Sequence, residues 1–128
     1  MLYDIMICNT RFGQPAAQIK AFWDATGEHW FKGALVGKYG AAFTSTASQH
    51  GGQETTIASF ISHYVHHGII YVPLGFTHSG LQNMSEIVGG SAWGAGTIAG
   101  ADGSRKPSAL ELEIAKHQGT LFAKTLLK

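Results

Sequence analysis

Three short apolar runs, at residues 2–8, 39–43 and 69–73, alternate with segments whose apolar residues recur at helical spacing. This alternation constrains the fold more than any other feature of the chain. The run at 2–8 is nearly continuous, as a strand buried on both faces must be. The run at 69–73 is rich in β-branched residues, which pack well on a pleated surface. Ile57, Phe60, Ile61 and Tyr64 follow an i, i+3, i+4, i+7 pattern, which predicts an amphipathic helix over 53–67 closed by Gly68. Ile19, Phe22, Trp23 and Thr26 share another helical face, with Pro15 in the first turn and Gly27 as the stop. After a connection at 28–38 comes the run at 39–43. Residues 74–107 read as one long, Gly-rich, irregular segment, a length that is usually functional. Ser108 and Glu111 then form an S-x-x-E capping box after Pro107. The helix it opens runs to about residue 127, with Lys124 and Lys128 at its negative end. Strand and helix in alternation predict an α/β fold, a parallel sheet with helices on its faces.

Length and composition narrow the rest. The 128 residues fit one domain with a real core, and neither an internal repeat nor a linker divides them. Charged residues make up only 13% and the net charge is +1, with the basic residues scattered. Nucleic acid is therefore not an expected partner, because it requires a basic patch. The single cysteine, Cys8, forbids an internal disulfide and suits a reducing, cytoplasmic setting. It is expected to be a small buried hydrophobe at a strand end. The N-terminus has no basic leader, and the longest apolar run falls far below the ~20 residues that span a bilayer.

In parallel α/β sheets, ligands bind beyond the C-terminal ends of the strands. Two segments leave such ends: "NTRFG" at 9–13 and "TSTASQHGGQET" at 44–55. The second offers hydroxyls, a histidine and two glycines before a helix, which suits a ligand needing hydrogen bonds and close backbone approach. A solvent loop of turn formers is the plain alternative. The two segments are expected to lie side by side and line one pocket. His63, His66 and His67 have a spacing that fits zinc, but no carboxylate or cysteine partner is evident, and no metal is expected. "GGSAWGAG" lacks the Lys-Ser/Thr of a phosphate loop and follows no clear strand. "ADGSRKP" reads as a turn into the capped helix.

Five segments in order, "NTRFG", "STASQHGGQETT", "HHGIIYVPLGF", "GGSAWGAGTIAGADGSRKP" and "ELEIAKHQG", resemble the WrbA-type NAD(P)H:quinone oxidoreductases. The likeness covers essentially the whole chain. It implies a flavodoxin-like three-layer α/β/α fold and FMN as cofactor. It also implies two-electron reduction of a quinone by NAD(P)H, in ping-pong fashion, with the redox chemistry supplied by the flavin. It further implies a homo-oligomer, typically a tetramer. Residues 1–128 would be a single partial domain, lacking the first two strand–helix units and, with the first of them, the Ser/Thr-rich phosphate loop. Carried over by motif, Thr10, Arg11 and Phe12 would line the flavin ring. Ser45, Thr46, Ala47, Ser48, Gln49 and Gly51 would contact the ring and ribityl chain. His66 would approach the FMN of a neighbouring subunit, and Trp30 would wall the nicotinamide and quinone pocket. The chain departs from the family pattern at Asn9, Ala92 and Trp93, where Pro, Pro and Tyr are usual. The other class of function left open is a non-catalytic, flavodoxin-like interaction protein that has lost FMN binding with the phosphate loop.

Overall fold

The computed structural model describes residues 4–128, with side chains from Asn9 onward. The expected burial of Cys8 thus lies outside the described residues. β1 (Asp4–Arg11) and β3 (Tyr39–Thr46) lie side by side in parallel register, with Asp4 opposite Gly40 and Asn9 opposite Ser45. After β1 the chain turns back through Phe12 and Gly13 into β2 (Gln14–Pro15), antiparallel to β1. Both tip residues are left-handed, with φ of 52° and 73°, the backbone of a type I′ hairpin turn.

Pro15 therefore sits in an edge strand, where its missing N–H costs nothing, and not in the first turn of a helix. α1 (Ala17–Asp24) starts two residues later. Nor is Gly27 the stop: it opens a short α2 (Gly27–Phe31) inside the expected connection. The end of α1 is made without glycine. The N–H groups of Ala25 and Thr26 fold back onto the last carbonyls, and the Thr26 hydroxyl donates to the Trp23 carbonyl at 2.6 Å.

α3 (Gln53–His67) has the predicted bounds, and Gly68 closes it at φ 70°. Its predicted face is the core: Ile57, Phe60 and Tyr64 are fully buried against Trp23 of α1 and Ala42 of β3. α4 (Ala109–Leu126) opens with the predicted reciprocal cap between Ser108 and Glu111. Ile114 of α4 packs with Leu74 and Ala95, and Phe43 of β3 packs against that cluster. Ala42 and Phe43 are consecutive in one strand, so they point to opposite faces. α3 and α4 thus cover opposite sides of the sheet, in three layers.

The sheet departs from expectation along the outer edge of β3. The third apolar run yields only a short strand, β4 (Ile70–Tyr71), which pairs parallel with Tyr39 and Gly40. A further strand, β5 (Gly96–Ile98), pairs parallel with Thr44, Ser45 and Thr46 on the same edge. β4 and β5 are two parts of one interrupted strand, and residues 72–95 leave the sheet between them, with a 3₁₀ turn at Ser79–Gln82. The segment expected to be irregular over 74–107 therefore contains ladder, and β3 runs three residues past the expected 43. Thr44, Ser45 and Thr46 are strand and not loop because β5 pairs with them.

Candidate functional site

Parallel neighbours end on the same rim of the sheet, so the segments that follow β1 and β3 meet there. Asn9, Thr10 and Arg11 on one side, and Ser45, Thr46 and Ala47 on the other, line a cleft of about 420 Å³. The Thr10 and Thr44 hydroxyl oxygens lie 3.0 Å apart, and the Ser45 hydroxyl donates to the side-chain oxygen of Asn9 at 3.1 Å. The side-by-side placement expected of the two segments is present.

The cleft has a third wall that sequence reasoning missed: the turn after β5, from Ala99 through Asp102 to Gly103. This segment reads as a plain turn only while β5 goes unrecognised. Once β5 is a parallel strand, its C-terminal end must open on the same rim. The Asp102 carboxylate accepts from the Ser104 N–H at 3.0 Å and the Ser104 hydroxyl at 2.8 Å. These donors hold its carboxyl below the usual carboxylate range, so it is charged at neutral pH.

The loop after β3 is pinned from several directions. The Thr46 hydroxyl donates to the Ser48 carbonyl at 2.8 Å and accepts from the Gln53 amide at 3.0 Å. The same amide nitrogen donates to the Thr97 carbonyl at 2.9 Å, and its oxygen accepts from Gly90 N–H at 2.6 Å. Gly51 passes so close to Thr46 that a Cβ there would sit 2.7 Å from the Thr46 Cβ, which excludes a side chain. Ser48 and Gln49 are exposed, and Gln49 faces a separate hollow with His50, Gln53 and Glu54 at the start of α3. Phe12, at the hairpin tip, is fully exposed and left-handed. For a bulky L-residue that backbone costs about 1–2 kcal/mol, and strain of this kind tends to persist where a ligand or partner uses it.

Trp30 and His66 do not reach this rim. α3 starts at the rim and runs back along the sheet, so His66 lies about 20 Å of helix away, at 1.5 Å per residue. Trp30 joins it there in a second cleft of about 370 Å³, with Trp23, Thr26, His63 and His67. The Thr26 hydroxyl spends its one proton on the Trp23 carbonyl, so it accepts from Nε2 of His67 at 2.8 Å. Burial, then the neighbouring His63, His29 and His66, lower the His67 pKa and favour the neutral ring. Its Nδ1 and the Trp23 Nε1–H are both buried without a partner. Among the described residues, no three His, Cys, Asp or Glu side chains are arranged to hold a metal ion.

No family model matches the chain. It is 56% identical over 128 residues to an NAD(P)H dehydrogenase (quinone) of Paraburkholderia phymatum, covering 98% of this chain and 64% of that protein. An NAD(P)H dehydrogenase (quinone) of Azorhizobium caulinodans matches with the same identity and coverage. The chain is a homologue of these proteins. The NAD(P)H quinone oxidoreductase PST1 of Candida albicans is 56% identical over 119 residues, 93% of this chain and 60% of that one. The chain thus spans just under two thirds of the length of the curated relatives it matches. A crystal structure described as a flavodoxin, WrbA-like protein from Agrobacterium tumefaciens superposes with a TM-score of 0.58 at 22% identity. That likeness covers 91% of this chain and 64% of that one, and it shows the flavodoxin-like fold. The fold is the one that the five ordered motifs pointed to, and the relatives carry names of the same kind. No helix among the described residues is long and apolar enough to cross a membrane.

Proposed function

We propose that the rim cleft is the ring-side half of a flavin site, serving NAD(P)H-dependent reduction of quinones. The observation that carries this reading is the meeting of three C-terminal strand ends in one hydroxyl-lined cleft, in a chain homologous to quinone dehydrogenases. By family resemblance the flavin is FMN. When bound, it supplies the hydride-accepting and hydride-donating centre, in two-electron steps of ping-pong order.

The cleft chemistry fits a flavin ring and ribityl chain. Thr10, Ser45 and Thr46 bring hydroxyls, Arg11 a cation, and Ala47 a wall without bulk. Phe12, next in the chain to Arg11, offers an exposed aromatic face, suited to a flat ring. Ser48, Gln49 and Gly51 belong to the loop that holds this wall in shape. These residues bind and orient; none of them moves a proton or forms a bond.

Trp30 and His66 serve the same reaction only through a second copy of the chain, since α3 carries His66 to the far end of the sheet. This favours a homo-oligomer, a tetramer by resemblance, in which one subunit's aromatic cleft approaches another's flavin. Within this reading, residues 1–128 are a single partial flavodoxin-like domain acting in the cytoplasm.

Titration of the purified 128-residue chain with FMN, followed by flavin fluorescence and the visible spectrum, tests the reading. Saturable, stoichiometric binding, followed by NAD(P)H-dependent quinone reduction, is the expected result. No binding at high micromolar FMN would leave the non-catalytic interaction protein as the description of this chain.

A further inference from the structure

The rim cleft is rich in hydroxyls and poor in positive charge. Among the described residues that line it, Arg11 is the one cation, and Asp102 sets a carboxylate in the opposite wall. Ser104 fixes that carboxylate in its charged form. A phosphomonoester carries about −1.5 to −2 at neutral pH, and proteins hold it with helix N-termini, Arg or Lys.

Neither nearby helix offers such a cradle. At the start of α4 the Glu111 N–H is taken by the Ser108 hydroxyl, and the Ser108 N–H by the Glu111 carboxylate. A full negative charge already occupies that end. α3 has Glu54 in its first turn, and its start opens on the hollow of Gln49 and His50, not on the rim cleft. Arg105 is also committed: it donates to Glu111 and to the Ile98 and Ile87 carbonyls.

The groups that remain suit neutral donors and acceptors. The Asn9 side chain and the Ser45 hydroxyl are paired at the rim, and the Thr10 hydroxyl lines the same cleft. A flavin presents an N–H between two carbonyls on its ring and, on its ribityl chain, three hydroxyls in FMN or four in riboflavin. A phosphate dianion there meets one cation and one anion, which nearly cancel, and gains no net anchor.

We propose that this cleft grips a flavin by its ring and ribityl hydroxyls and not by its phosphate, with Asp102 as the residue that sets the preference. The inference rests on the flavin reading above and deepens it. The 128-residue chain then binds unphosphorylated riboflavin about as tightly as FMN.

The test is a pair of fluorescence titrations of the intact chain, with riboflavin and with FMN, on the wild type and on Asp102→Asn. The expected dissociation constants for the two flavins agree within about threefold in the wild type, since a single cation and a single anion nearly cancel. Asp102→Asn keeps the acceptor for Ser104 and removes the charge. It should tighten FMN about fivefold and leave riboflavin unchanged, and raised salt should shrink that gain. Unchanged riboflavin affinity also certifies the fold of the variant. FMN binding tenfold or more tighter than riboflavin in the wild type overturns the inference while sparing the flavin reading. An FMN affinity indifferent to Asp102→Asn removes Asp102 from its role. Failure of both flavins to bind overturns the flavin reading and this inference with it.

Discussion

Replacing Glu111 by alanine should cost the domain about 3 kcal/mol, because its carboxylate is the buried junction of three chain segments. The side chain is 1% exposed. It accepts from the Gly89 N–H at 2.9 Å, the Thr97 hydroxyl at 2.9 Å and the Ser108 N–H at 2.8 Å. The Arg105 guanidinium bonds both of its oxygens, at 3.0 and 2.9 Å. Truncation orphans the Gly89 N–H in the interior, at about 1–3 kcal/mol, and removes the cap of α4, at about 1 kcal/mol. Arg105 keeps its two carbonyl partners and is a quarter exposed, so its loss adds little. Against a total stability of about 5–15 kcal/mol, the change should be plain in urea unfolding followed by circular dichroism at pH 7. The effect also has a pH signature. Burial pushes the Glu111 pKa up, but the bonds from Arg105, Ser108, Gly89 and Thr97 outweigh it and hold the group below its ordinary value of 4.5. A depressed folded-state pKa gives stability that is complete above 4.5 and fades as pH falls from there towards the folded value. The gap between wild type and variant should therefore narrow below about pH 4.5. A loss under about 1 kcal/mol, or a gap constant through that range, would refute the junction argument. If the alanine variant does not fold, Glu111→Gln keeps the volume and tests the charge alone.

Two further substitutions probe the interrupted strand and the hairpin tip. Gln118→Leu preserves volume but strips partners from the Ala95 N–H and the Ala42 carbonyl, each now bonded at 2.9 Å. It should cost about 2–3 kcal/mol and speed hydrogen exchange at the Ala95 amide, and unchanged exchange there would count against the bridge. Phe12→Gly relieves a left-handed phenylalanine, with a net gain of about 0.5–1 kcal/mol in thermal unfolding once the looser unfolded chain is counted. The same variant should weaken flavin binding about tenfold if the aromatic tip stacks on the ring, and unchanged affinity would remove Phe12 from the site.

What was legible in the sequence was local. α3 announced itself through Ile57, Phe60, Ile61 and Tyr64 and through Gly68, and each sits as that spacing requires. The cap of α4 was readable from Ser108 and Glu111, though not the further bonds that Glu111 makes to Gly89 and Thr97, 22 and 14 residues away. β5 was illegible because three residues carry no period, and its existence depends on pairing with Thr44, Ser45 and Thr46 half a chain earlier. That miss hid the third wall of the cleft and Asp102 with it. The end of α1 was misread because Thr26 closes it through its own hydroxyl, a bond that composition does not distinguish from a glycine stop at Gly27. Trp30 and His66 carried no local sign of their position. The direction of α3 decides it: a helix that starts at the rim must end at the other side.

The gap between β4 and β5 explains why the core needs polar groups at all. Over residues 41–43, β3 has no strand on its outer edge, so the Ala42 carbonyl, which points that way, loses its ladder partner. A side chain from the α4 layer fills the gap. The Gln118 amide donates to the Ala42 carbonyl at 2.9 Å, while the Tyr64 hydroxyl donates to the Ala41 carbonyl on the β1-facing edge at 2.9 Å. Gln118 then accepts from Ala95, where the strand resumes. Gly94 has to be glycine for the same reason: a Cβ would land on the Ala42 carbonyl oxygen. A buried carbonyl without a donor costs about 1–3 kcal/mol, so these polar contacts are a condition of inserting residues 72–95 into the strand. The insertion leaves β3 in register with β5 at Thr44, Ser45 and Thr46, and so preserves the rim on which the proposed flavin site stands.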